Sequence, residues 1–288
     1  MLLQFLINAL SLGSFYALVA LGFSLIFGVT RAFNLAHGEL VLLSGYLGYA
    51  LSKYLHVPFL LTLPICMLCL LFVALLLHRL LRRVQEPIEL NTLVITFGLA
   101  LVLQNCMLLF FSANYRLIPC TGAPFELSWA QCTVTRTQAM LIALSLLATA
   151  LVYILLWKTF LGKALRATIQ DPEAARLAGI HVGRMSLIAF GIGGMLIGLA
   201  GPLYGRTAYL HPFGGTEATL IAIIITIFAG AGRVRSILLG GWLLGSVESL
   251  AIFTLGASWR DLVSGVLLIV LLLLTPEGWL PRQAKPSR

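Results

Sequence analysis

The stretch GVTRAFNLAHGELVLLSGYLGYAL, residues 28–51, joins two apolar runs through a polar island. Asn34, His37 and Glu39 fall within six residues, with Gly38 between the last two. Two readings compete. The island is a turn at a membrane surface, where an amide, an imidazole and a carboxylate meet water, or it interrupts helices inside the membrane. Ionisable groups at membrane depth are costly and face a partner, a cavity or a transport path. The second reading therefore makes His37 and Glu39 pathway or gating candidates, with Asn34 capping the helix that follows.

Working outward, the whole chain is of this kind. Its 288 residues are 60% hydrophobic and only 10% charged, with a mean hydropathy of +1.00. A soluble domain carries about a quarter charged residues, so the polar residues here could hardly cover a water-facing surface. The apolar runs are continuous and do not alternate over about ten residues, which excludes a β-barrel. The expected fold is an all-α polytopic membrane protein. About nine segments are predicted, near 5–29, 40–55, 59–81, 92–111, 139–157, 184–204, 217–231, 236–253 and 259–274. Several fall short of the roughly 20 residues of a simple crossing, so some are expected to be broken or re-entrant. The first basic residue is Arg31; without a basic n-region the start does not read as a cleavable signal, and Phe5 onward reads as a permanent span.

The net charge is +9, but its distribution argues for topology and against nucleic acid. Basic residues flank the apolar runs, and no zinc-finger spacing, phosphate loop or basic–aromatic stripe occurs. With the N-terminus outside and the C-terminus cytoplasmic, 14 of the 19 Lys and Arg residues fall inside, as the positive-inside rule expects. The 112–138 segment then becomes the main external loop. It holds Cys120 and Cys132, whose disulfide an oxidising exterior would allow. Cys66 and Cys69 form a C-x-x-C inside an apolar run and read as small buried side chains. His37 and Glu39 are too close in sequence to share a helical face, so a metal site is not expected. No nucleophile with a base and an orienting residue is present, so transport here is conformational work without covalent chemistry.

The other informative stretch is GKALRATIQDPEAARLAGI, residues 162–180. Asp171-Pro172 reads as an N-cap and first helical position. Glu173 suits the positive helix end, Ala174 and Ala175 favour helicity, Arg176 suits the last turn, and Gly179 can stop the helix. A short rigid helix held outside the membrane is expected. It is either a docking knob for a cytoplasmic partner or an interfacial helix on anionic lipid. Lys163, Arg166 and Arg176 supply charge for either role.

NLAHGE, GKALRATIQDPEAARLAGI, GLAGPLYG, GGWLLGSVES and LLLTPEGWL occur in the order seen in branched-chain amino-acid ABC transporter permeases. Over nearly its full length the chain resembles the smaller of the two permease subunits of such importers. The resemblance implies residence in a bacterial inner membrane, a second homologous permease, two cytoplasmic ATP-binding subunits and an external solute-binding protein. It also implies that NLAHGE is a broken-helix element near the permease core. The segment from Gly162 through Arg166 and Asp171 to Gly179 would contact an ATPase. The chain has no G-x-x-x-x-G-K-[S/T], so it is expected to bind no cofactor and leave ATP to its partners. The Gly230–Arg235 turn departs from the family by carrying two arginines, which anchor it or meet an ATPase.

Within the apolar segments, Gly241, Gly245 and Ser249 form a small-residue face, and Gly191, Gly193, Gly194, Gly198 and Gly201 crowd another span; both read as close helix packing. Glu248 is an intramembrane acid, either paired in the interior or lining the path. Glu217 and Asp261 lie near predicted segment ends and read as interfacial. The leading function is import of branched-chain or similar small amino acids. Urea or another small solute is the alternative within the class, and an ion-coupled secondary transporter the alternative outside it.

Overall fold

The computed structural model describes residues 2–84, 88–119 and 134–256, with 259, 262–263, 265–266 and 269–270. Among these, ten helices follow one another: α1 (Leu2–Thr30), α2 (His37–Lys53), α3 (Phe59–Leu81), α4 (Ile88–Phe111), α5 (Arg136–Lys158), α6 (Phe160–Gln170), α7 (Pro172–Leu177), α8 (Val182–Thr207), α9 (Gly215–Ala229) and α10 (Val234–Leu255). The only β-bridge among the described residues joins Arg116 and Leu210. The all-α expectation holds. Eight of the nine expected segments coincide with α1–α5 and α8–α10. Six of these, α1, α3, α4, α5, α8 and α10, are long and apolar enough to cross a membrane. The expected ninth segment, Asp261 and the Cys120–Cys132 pair lie largely or wholly outside the described residues.

Small residues decide how the helices pack. A Cβ on Gly245 would come within 2.6 Å of Gly13 Cα, and one on Gly241 within 2.8 Å of the Ala17 nitrogen. The GGWLLGSVES face thus lets α10 lie backbone to backbone along α1, the close approach that stabilises helix pairs in lipid. In GLAGPLYG, a Cβ on Gly198 would meet Met67 Cα of α3 at 2.5 Å, and one on Gly201 the Gly45 nitrogen of α2 at 2.6 Å. The Ser44 hydroxyl donates to Gly198 O at 2.9 Å. Both glycine faces are packing surfaces, as read from the sequence. In its most apolar stretch α1 is 89% buried while α4 is 11% buried, so α1 is the hub and α4 the outermost of the long helices.

Two groups of contacts mark the ends of the bundle. At one, the Gln138 amide donates to Asn8 Oδ1 at 3.1 Å. At the other, Ile169 lies against Gly28 and Gly232. Asn8 to Gly28 is 20 residues of α1, about 30 Å at 1.5 Å per residue, the thickness of a bilayer's hydrocarbon core. Val19 therefore stands close to half-depth in the bundle.

Candidate functional site

After Thr30 the chain reverses through Arg31, whose φ of 54° lies in the left-handed region that side chains seldom occupy. Its guanidinium donates to Gln170 O at 3.3 Å. The next residues climb back along α1 until the His37 ring reaches Val19 O, with Nε2 at 3.0 Å. A carbonyl can only accept, so Nε2 carries the proton. The ring also stands edge-on to Phe23, centroids 5.2 Å apart. His37 is thus fixed at half-depth, and α2 begins there. With 17 residues, about 25 Å at 1.5 Å per residue, α2 then runs to Tyr49 and Lys53, where the Lys53 ammonium and the Arg116 guanidinium both donate to the Tyr49 hydroxyl.

A second short helix meets it. After α8 the chain turns inward through 208–214, held by the Arg116–Leu210 bridge, and α9 starts beside α2. Gly38 N donates to Thr219 Oγ1 at 2.8 Å. That hydroxyl also lies 3.3 Å from Leu35 O and 3.1 Å from Gly215 O. A Cβ on Gly38 would overlap Gly215 O and come 2.7 Å from the Thr219 nitrogen. The space above Gly215 is filled by the Glu39 carboxyl group. Leu35 N donates to Thr96 Oγ1 of α4 at 3.2 Å. NLAHGE therefore ties α1, α2, α4 and α9 together where the N-termini of two half-helices converge. Both helix dipoles direct their positive ends to this point.

The surface-turn reading is corrected: Asn34, His37 and Glu39 are exposed by 2%, 0% and 2%. The capping role expected of Asn34 is also corrected. Its Oδ1 accepts from Ala36 N at 3.1 Å, forming a local turn ahead of the helix, and the cap position, Ala36, has no side-chain hydrogen bond. Asn34 Nδ2, His37 Nδ1 and Glu39 Oε2 are buried without a hydrogen-bond partner in the chain. Such groups are costly to leave unsatisfied and mark functional or hydrated positions.

Beside the junction is a narrow crevice between α1, α2, α8 and α9, walled by Tyr16, Leu42, Tyr204, Glu217, Ala218 and Ile221. Glu248 does not open onto it. It is fully buried and accepts from the Tyr16 hydroxyl, so the paired reading of this acid is the one observed. Tyr16 carries that bond between α1 and α10 while its ring walls the crevice. Tyr16, Thr219 and Glu217 were not legible as site residues. Tyr16 and Thr219 look like ordinary members of apolar helices. Glu217 looks interfacial because it begins a segment; that segment begins beside Gly38 and Glu39, level with the middle of α1.

At the other end of the molecule, the single expected helix is two. α6 is capped by Thr159, whose hydroxyl accepts from Gly162 N at 3.0 Å. A Cβ on Gly162 would run into Leu155 O and Leu156, so glycine is required for the sharp α5–α6 corner. The Arg166 guanidinium lies 4.0 Å from the centre of the Trp157 ring. α7 is capped as its sequence requires, with Asp171 Oδ1 accepting from Glu173 N and Ala174 N at 2.9 and 3.1 Å and Pro172 at the first position. It ends with Gly179 at φ 82°; Gly179 N donates to Arg176 O and Ile180 N to Ala175 O, a double bond pattern that closes a helix end. Ala175 is buried, whereas Leu177 and Phe160 are 91% and 84% exposed. Ile169 connects this unit to the bundle. Its side chain fills the space over Gly28 (3.2 Å to a Cβ there) and over Gly232 (3.1 Å), whose nitrogen donates to Ser24 Oγ at 2.9 Å. Arg235, one of the two unexpected arginines, donates to the Tyr153 hydroxyl at 2.7 Å.

The family described as branched-chain amino acid transport system / permease component matches residues 5–272. The chain belongs to this family. It is an inner-membrane, multi-pass permease subunit of an ABC importer, and separate subunits of the importer hydrolyse ATP. Family membership decides against the ion-coupled reading. The permease is 27% identical over 97% of its length to the high-affinity branched-chain amino acid transport system permease protein BraD of Pseudomonas aeruginosa, covering 96% of that protein. It is 28% identical, with the same coverage of both chains, to LivH of Escherichia coli K12, which carries the same description. Its fold resembles that of PsaBC from Streptococcus pneumoniae in complex with Fab, with a TM-score of 0.55 at 13% identity, covering 95% of the permease and 93% of that chain.

Proposed function

We propose that this permease passes branched-chain or similarly small amino acids between α2 and α9, and that the Asn34–Glu39 junction is its gate. The observation that carries the reading is the convergence of two half-helices at half-depth, around buried polar atoms that lack partners. Broken helices of this kind place backbone and polar groups at the membrane midplane without exposing them to lipid. His37 and Glu39 stabilise the closed junction, Gly38 permits its close contact, and Glu248 braces α10 against α1 through Tyr16.

Residues 1–288 form one permease domain with a cytoplasmic coupling loop at 158–183 and an external loop at 112–138. Nine segments run from an outside N-terminus to a cytoplasmic C-terminus. In support, Arg31, Gln170 and Gly232 gather at one end of the bundle, as the charge distribution requires of a single side. The α6–α7 unit meets an ATPase through Leu177, Phe160 and the charged Glu173 and Arg176. Closure of the ATPase pair then moves Ile169, and with it the ends of α1 and α10. The partners are a second homologous permease, two cytoplasmic ATP-binding subunits and an external solute-binding protein.

Reconstitution of the complete complex with a panel of radiolabelled solutes tests the substrate. Leucine or isoleucine uptake that requires ATP and the ATP-binding subunits is expected. Urea uptake with neither amino acid transported would sink the proposal.

A further inference from the structure

Glu217 is misplaced for a lipid-facing residue. Thr216, Glu217 and Leu220 recur at helical spacing along the start of α9, with Phe213 in the turn just before it, and all four are exposed. The depth of this stripe follows from its neighbours. Gly215 lies against Gly38 and Glu39, and His37 is bonded to Val19 O at half-depth. Glu217 is two residues further on, about 3 Å along the helix. A carboxylate exposed there to acyl chains carries a large penalty, so such residues line a hydrated route or face protein.

The crevice beside it, closed here to about 10 Å³ and widened only when α2 and α9 part, has the complementary character. Phe15 and Tyr204 stack with ring centres 4.3 Å apart, Tyr16 adds a third ring, and Leu42 and Ile221 supply aliphatic walls. One carboxylate at the rim of an aromatic and aliphatic cleft matches a molecule with a cationic end and a branched hydrocarbon end. We infer that Glu217 receives the α-ammonium group of the passing amino acid while Leu42, Ile221 and the Tyr16 and Tyr204 rings take its side chain. This rests on the junction being the solute route. A carboxylate accepts several hydrogen bonds at once, so Glu217 can hold an ammonium beside the contact it already makes within the chain. A single charged anchor also lets the solute leave again, which transport requires. Glu217 and the crevice residues would then distinguish amino acids from uncharged solutes such as urea inside the membrane.

The test uses the complete complex in proteoliposomes. Glu217→Gln keeps size and removes charge; leucine uptake should fall about tenfold, the scale of a lost charge-assisted hydrogen bond. Glu217→Asp should recover part of the rate. In parallel, Glu217→Cys and Leu42→Cys are made in a background with the native cysteines replaced by alanine. They are probed with a charged, membrane-impermeant thiol reagent during turnover. Labelling at both positions, slowed by leucine, is expected. Labelling at Leu42→Cys with normal uptake by Glu217→Gln would overturn the ammonium assignment and leave the route intact. No labelling at either position in any nucleotide state would overturn the route itself, and this inference with it.

Discussion

Replacing Gly38 by alanine is expected to abolish ATP-driven uptake. The added Cβ would overlap Gly215 O and stand 2.7 Å from the Thr219 nitrogen and hydroxyl. These obstacles belong to the first turns of α9, so relief requires α2 and α9 to part. Overpacking of this kind costs about 1–3 kcal/mol, occasionally more. Here it also breaks the Gly38–Thr219 bond and uncovers the buried polar atoms beneath it. Gly98→Ala is the matched control, since a Cβ there meets nothing within 4 Å; it should transport as the wild type does. Uptake by proteoliposomes and the yield of assembled complex measure both variants. Wild-type uptake by Gly38→Ala would show that the close α2–α9 contact is not part of the working molecule.

The second large effect is expected at Ile169. Truncation to alanine empties the space over Gly28 and Gly232, separating α6 from α1 and from the α9–α10 turn without touching the exposed surface of α7. ATP hydrolysis by the assembled complex should continue while leucine uptake falls. Coupling free energies of about 1–3 kcal/mol correspond to roughly 5- to 150-fold, and the loss should lie in that range. Ile169→Val restores most of the side chain and should restore most of the uptake. The readout is the ratio of ATP hydrolysed to leucine accumulated. An unchanged ratio for Ile169→Ala would mean that motion reaches the bundle by another route.

What the sequence reveals about this fold depends on how local each feature is. Asp171-Pro172 and Gly179 specify α7 through bonds spanning five residues or fewer, so its cap and its end can be read directly. The bulk of the membrane segments are legible for a similar reason, because apolar content over about 20 residues reports a helix whatever surrounds it. Depth is a different quantity. The 17 residues of α2 and the 15 of α9 have the composition of short spans, and nothing within either shows that it starts halfway along the bundle. That information lies in His37 reaching Val19 and in Gly38 reaching Thr219, 181 residues away. Glu217 shows the same limit: the start of a segment normally marks an interface, and here it lies beside the Gly38–Glu39 junction. The packing role of the glycines was legible from spacing. Which partners they approach, Gly13 for Gly245 and Met67 for Gly198, was not.

The central claim is that the two half-helices part during transport. A complex carrying Leu42→Cys and Gly214→Cys tests it most directly, because Leu42 Cδ1 lies 3.9 Å from a Cβ built on Gly214. Leucine uptake is measured before bridging with a short reducible thiol crosslinker, after bridging, and again after reduction. Uptake should stop when the bridge forms and return when it is reduced. Full uptake with the bridge complete would contradict the account.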